Sequence, residues 1–156
     1  MSAFSVLWPP GPADNVVAMD LNGLSLREAF PGTFEALIGT VYDRHDGGEI
    51  AGYFELTDDL LTADGGTPLG LYATVAEGAA SMGTAHGVSG QEMFAAGMSN
   101  ETTVTQEALA GRIDFRATLK HEAADLWLWS VEFSDVTTDV VALSAVHVAV
   151  RPIRPR

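Results

Sequence analysis

Glu77 is the one formally charged side chain between Asp64 and Glu92, in a run from Gly70 to Ala85 that is otherwise apolar or small. A carboxylate enclosed by such residues needs a partner or raises its pKa instead, and either state marks a candidate for chemistry. Helical spacing puts Glu77, Ser81 and Thr84 at i, i+4 and i+7, on one face. Ala73, Ala76 and Ala80 flank that stripe, so a groove with a small-residue floor would lie beside a carboxylate and a hydroxyl. The loop Gly65-Gly-Thr-Pro-Leu-Gly70 leads into the helix start, where backbone N–H groups carry the positive end of the dipole and suit an oxyanion. Carboxylate, hydroxyl and oxyanion donors thus fall within about two turns, roughly 11 Å. The residues alone leave two readings of Glu77 open: a catalytic carboxylate, or a side chain that reaches a surface edge or pairs with an arginine of another strand. Ser81 by itself reads as a packing residue, outside any nucleophile-elbow motif.

The elements that must position these groups are read from periodicity. Residues 1–24 are rich in Pro, Gly and Asn and read as an extended arm. Short helices are expected from Ser25 to Glu28 and from Thr33 to Ile38, divided by Pro31-Gly32. Leu37 to Tyr42 and Glu49 to Leu56 read as strands joined by the turn-rich Asp43 to Gly48. After a loop from Thr57 to Thr67, Pro68 sits where a first-turn proline would, before a helix with no polar face, which belongs inside a core. Gly87 to Glu92 is loop, and four strand-like segments follow: Phe94 to Gln106, Arg112 to Lys120, Leu126 to Phe133 and Val140 to Val150, with Asp135 to Asp139 turning between the last two. Arg112 to Lys120 is the clearest, because Ile113, Phe115, Ala117 and Leu119 alternate with polar residues, one face buried and one wet. The order ββ, one helix, ββββ predicts an α+β domain with a curved antiparallel sheet around the helix.

Composition narrows the function. The 156 residues suit one domain, and a net charge of -13 argues against nucleic acid and anionic membranes as partners. The few basic residues cluster as Arg112, Arg116 and Lys120, and as Arg151, Arg154 and Arg156, so a local anion site stays open. With no cysteine, disulfides, thiolate metal sites and cysteine nucleophiles are excluded. His45, His86, His121 and His147 lie in separate segments without metal-ligand spacing, so no metal is expected. His147 reads as a hydrogen-bonded packing residue, and His121 either helps hold a phosphate or is a solvated strand end. With no signal peptide or spanning run apparent, a cytoplasmic protein is expected.

From about Phe34 to Pro152 the chain resembles the PaaI-like acyl-CoA thioesterases of the hotdog-fold superfamily. Gly70-Leu-Tyr-Ala-Thr-Val-Ala-Glu-Gly-Ala-Ala-Ser81, Leu126-Trp-Leu-Trp-Ser-Val-Glu-Phe-Ser-Asp135 and Val148-Ala-Val-Arg-Pro152 carry the likeness. It implies a hotdog fold, an antiparallel sheet wrapped around one long central helix, in residues 31–152, after an arm of residues 1–30 and before a tail of 153–156. It further implies a homodimer or homotetramer with the active site at the subunit interface, and an acyl-CoA or acyl-carrier thioester of small or medium acyl group as substrate, with no cofactor. Glu77 would be nucleophile or base, Ser81 would position water, and backbone N–H groups of Leu69 and Gly70 would hold the oxyanion. Pro68, Thr74, Asn100, Arg112, Arg116, Lys120 and His121 would contact substrate. The family's His-Gly-Gly turn is replaced by Pro68-Leu69-Gly70, and its basic turn by His121-Glu-Ala-Ala124. Pro68 has no N–H to donate, and these departures support an alternative: a catalytically silent hotdog protein that binds an acyl ligand or serves as a structural partner.

Overall fold

Strand β5 (Gly111–Glu122) shows why the sheet has two unlike faces: Ile113, Phe115 and Ala117 are buried, and Arg112, Asp114 and Arg116 between them are exposed. The same alternation recurs in β3 (Glu49–Leu56), where Ile50, Phe54 and Leu56 are buried, and in β6 (Leu126–Ser134), where Trp127, Trp129, Val131 and Phe133 are buried. With β1 (Leu24–Ser25), β2 (Val41–His45), β4 (Met93–Val104) and β7 (Val140–Pro152), they form one antiparallel sheet in the order β1-β2-β3-β5-β6-β7-β4. This is a computed structural model, and residues 20–108 and 110–153 are described.

The inner face of the sheet closes on helix α3 (Leu69–Gly87), as expected for the hotdog arrangement. Leu71, Tyr72, Val75, Ala76, Ala79, Ala80, Gly83 and Thr84 are its buried residues. The small ones let large rings lie directly on the helix: a Cβ built on Gly83 would stand 2.6 Å from Trp129 Cη2. Trp129 Nε1 donates to Thr84 Oγ1 at 2.9 Å, and Thr84 Oγ1 donates to the Ala80 carbonyl at 2.9 Å, so the buried polar atoms at this contact are satisfied. Each large apolar side chain buried there contributes about 1.5–3 kcal/mol relative to exposure.

Several expectations are corrected. Leu37 and Ile38 are not strand: they end helix α2 (Phe34–Ile38). Thr33 Oγ1 caps that helix by accepting from the Ala36 N–H, and Gly39, left-handed at φ 80°, stops it before β2 begins. The first expected helix is α1 (Leu26–Ala29), and Ser25 pairs with Val41 instead. The expected loop of residues 57–67 contains a single 3₁₀ turn at Asp58–Leu60, and α3 runs through Gly87, which was expected to be loop. Nor is α3 buried all round. Leu69, Gly70 and Glu77 are exposed, because the sheet covers one side of the helix only. The arm expected at residues 1–30 and the tail at 153–156 lie largely outside the described residues, although Leu21 and Leu26 pack in the core. No helix of the described residues is long and apolar enough to cross a membrane.

Candidate active site

Pro68, extended at φ -62° and ψ 130°, is the N-cap of α3 and offers no side-chain cap. The first N–H groups of a helix have no intrahelical acceptor. The Leu71 N–H turns back to the Pro68 carbonyl at 3.0 Å, which leaves the amides of Leu69 and Gly70 as donors at the dipole's positive end. Leu69 is 51% exposed, so its side chain flanks this point from the outside rather than plugging the core. Just before it, the Thr67 N–H is held by Glu107 Oε1 at 3.3 Å. Thr74 Oγ1 donates to the Gly70 carbonyl at 2.8 Å, leaving its oxygen free to accept.

Two turns along, Glu77 leaves the helix on the side facing β4, the edge strand. A Cβ built on Gly97 would lie 2.5 Å from Glu77 Oε1 and 3.2 Å from its Cδ, so the carboxylate rests on bare strand backbone. There β4 bulges: its register with β7 shifts between Gly97 and Ser99, and Met98 is left 63% exposed. Farther along, Asn100 Nδ2 donates to the Ala73 carbonyl at 2.8 Å. Asn100 Oδ1 accepts from Thr102 Oγ1 at 2.8 Å, and Thr102 Oγ1 meets Ser144 Oγ at 2.7 Å. This chain of bonds ties α3 to β4 and β7 at one height, one helical turn before Glu77. Asn100→Asp would set a carboxylate oxygen against the Ala73 carbonyl and is expected to cost about 1–3 kcal/mol, read by urea denaturation.

The sequence-derived residues do not all converge. Glu77 and half-buried Ser81 share one side of α3, but Thr84, expected on the same stripe, is fully buried under Trp129. Asn100 reaches the Ala73 carbonyl, one helical turn before Glu77, with its amide engaged at both ends as a clamp. Arg112 and Arg116 project from the outer face of the sheet, opposite the side that packs on α3. Arg112 stacks 3.7 Å over the Tyr53 ring and pairs with Asp114 and Asp43, and the Asp114 hydrogen bond raises its pKa. Arg116 pairs with Glu49, which also meets Arg44. Lys120 and His121 are exposed at a register shift of the same strand. Within one chain, none of these cations joins Glu77. His147 hydrogen-bonds Ser99 at 3.0 Å, in keeping with a packing role.

Gly97 and the Thr102–Ser144 bond were missed. A glycine inside a strand signals a close approach, and that was the available clue to Gly97. Also missed was the stacking of His45 on His86, ring centroids 4.1 Å apart, where burial first and then the His86 charge lower the His45 pKa.

No family model matches the chain. Among solved structures it is similar to AziG of S. sahachiroi, with a TM-score of 0.71 and 28% identity over 76% of this chain and 95% of that one. A mutant thioesterase of Pseudomonas aeruginosa superposes with a TM-score of 0.76 at 16% identity, over 81% of this chain and 91% of that one. A putative esterase of Mycobacterium tuberculosis gives 0.74 at 23% identity, over 78% and 98%. An antiparallel sheet closed around a long helix, superposing on those proteins over most of its length, is the hotdog fold.

Proposed function

We propose that this protein is a thioester hydrolase that splits small or medium acyl thioesters of coenzyme A or a carrier protein, with Glu77 as its reactive carboxylate. The observation that carries the reading is the placement of Glu77: an exposed carboxylate at the edge of the sheet, on a helix whose first amides are uncapped. Glu77 takes a proton from a water that Ser81 helps to orient, and the resulting hydroxide adds to the thioester carbonyl. Amides of Leu69 and Gly70 hold the oxyanion, then the C–S bond breaks to give a carboxylic acid and a thiol. A thiol with a pKa of about 8.5 leaves readily as thiolate, so the step makes little demand on a general acid. Leu69 and Met98, both exposed, give an acyl chain apolar surface to lie against.

A single copy does not complete this site. The eight-residue step from Leu69 to Glu77 spans about 12 Å along a helix. A donor on the carbonyl oxygen and a base that acts through one water on its carbon stand no more than about 10 Å apart, from hydrogen-bond and near-attack distances. Glu77 does not lean back to close that gap, because it rests on Gly97 while Asn100, farther along β4, meets Ala73. The oxyanion donors facing a given Glu77 therefore come from a second copy. The long unpaired edge of β4 is where such a copy would pair. Thiol release from a panel of acyl-CoAs and acyl-pantetheines tests the activity, with Glu77→Gln as the control: hydrolysis by the wild type alone supports the reading, and hydrolysis by both or neither sinks it.

A further inference from the structure

Glycine in the interior of a strand lowers stability and has nothing to pack, so Gly97 in the middle of β4 calls for a cause. Backbone conformation is not that cause: among the described residues the positive-φ glycines are Gly23, Gly32, Gly39, Gly47, Gly65, Gly90 and Gly111. Nor is core packing. A Cβ on Gly52 would strike the Val41 carbonyl and the Phe115 ring, one on Gly83 or Gly87 a tryptophan, but the three atoms nearest a Cβ on Gly97 all belong to Glu77, at 2.5, 3.2 and 3.5 Å. The missing side chain serves one neighbour, the carboxylate.

We propose that Gly97 is a positioning residue for Glu77: the bare backbone at the β4 bulge is the seat that sets where the carboxylate meets a thioester. This rests on the hydrolase reading of Glu77 given above. The seat is held on both sides. The Asn100 to Ala73 bond fixes β4 against α3 three residues along the strand, and the bulge between Gly97 and Ser99 turns Met98 outward so that the strand surface beside Gly97 stays open. A methyl group at Gly97 would push Oε1 out by about 1 Å to reach ordinary contact, and a misplacement of that size can cost about 10²-fold in rate. Because the displaced atoms are the end of an exposed flexible side chain, the fold itself is little affected. Position and stability therefore separate at this residue.

Four proteins test it: wild type, Gly97→Ala, Glu77→Asp and the double variant, each checked for an unchanged melting temperature and assayed for thiol release. Gly97→Ala is expected to lose about 10- to 100-fold in kcat, with KM little changed, since substrate contacts elsewhere are intact. Asp is one methylene shorter than Glu, so Glu77→Asp should slow the wild type yet speed the Gly97→Ala variant. That reversal of sign is not produced by a general loosening of the fold. A wild-type kcat in Gly97→Ala, the absence of the reversal, or unfolding of Gly97→Ala would each overturn the proposal; with Glu77→Gln inactive, the hydrolase reading would still stand. If instead the wild type hydrolyses no thioester, that reading falls, and the seat is judged by the ¹³C resonance of the Glu77 carboxyl: a change on Gly97→Ala supports it, and an unmoved resonance overturns it.

Discussion

Mixed, unfolded and refolded together, Leu69→Pro and Glu77→Gln chains are expected to recover about a quarter of the wild-type rate, although each alone is nearly inactive. Leu69→Pro removes the N–H together with the exposed side chain beside it, both of which the Glu77→Gln copy still supplies in a mixed dimer. Proline is well tolerated at the first position of a helix, and extended Pro68 is the conformation that a following proline prefers. Losing one oxyanion donor costs about 10²–10³ in kcat. If Glu77 of one copy works with the amides of the other, a mixed dimer has one site with both lesions and one with neither. Half the dimers are mixed in an equal blend and half their sites are intact, hence the quarter. A site built within one chain would gain nothing from mixing. Native mass spectrometry confirms that mixed dimers form, and no recovery in their presence would contradict the shared site.

Trp129→Ala should cost about 3–5 kcal/mol, the range for removing a large buried aromatic side chain. Trp129 is fully buried, lies over Gly83 close to Ile50, and anchors its ring nitrogen on Thr84. Its removal leaves a void where sheet and helix touch most closely, and against a usual total of about 5–15 kcal/mol such a loss threatens folding. Trp129→Phe refills most of the space and forfeits the N–H. Since Thr84 Oγ1 still donates to Ala80, its cost should be nearer to 1 kcal/mol. Equilibrium urea denaturation distinguishes the two. A loss below about 1 kcal/mol for Trp129→Ala would show that the ring is not the packing centre described.

The sheet was legible wherever one face is wet, as in β5, because alternation reports burial directly. It was less clear in β4, an edge strand that meets Ala73 and Glu77 of the helix through Asn100 and Gly97 and carries no run of large residues. The short helix α2 was half misread as strand: five residues are too few to show a helical period, and Leu37 and Ile38 suit either state. Thr33 and Gly39 were the better signals there. Glu77 was found because it is a lone charge, but its environment was misjudged. Leucine and glycine occur on both the exposed and the buried side of α3, as in Leu69 and Gly70 against Leu71 and Gly83, so composition does not reveal which side the sheet covers. What the chain order could not supply was the seat across from Glu77, since Gly97 and Asn100 reach the helix only through the pairing of β4 with β7.

The most direct measurement is thiol release from acyl-CoA by Glu77→Gln and wild type of matched fold and oligomeric state. The glutamine side chain keeps the size of Glu77 while removing its charge and basicity, so a fall in kcat of about 10²–10⁴ is expected, the usual contribution of a positioned acid–base group. Equal rates for the two proteins would contradict the central claim that the Glu77 carboxylate carries the reaction.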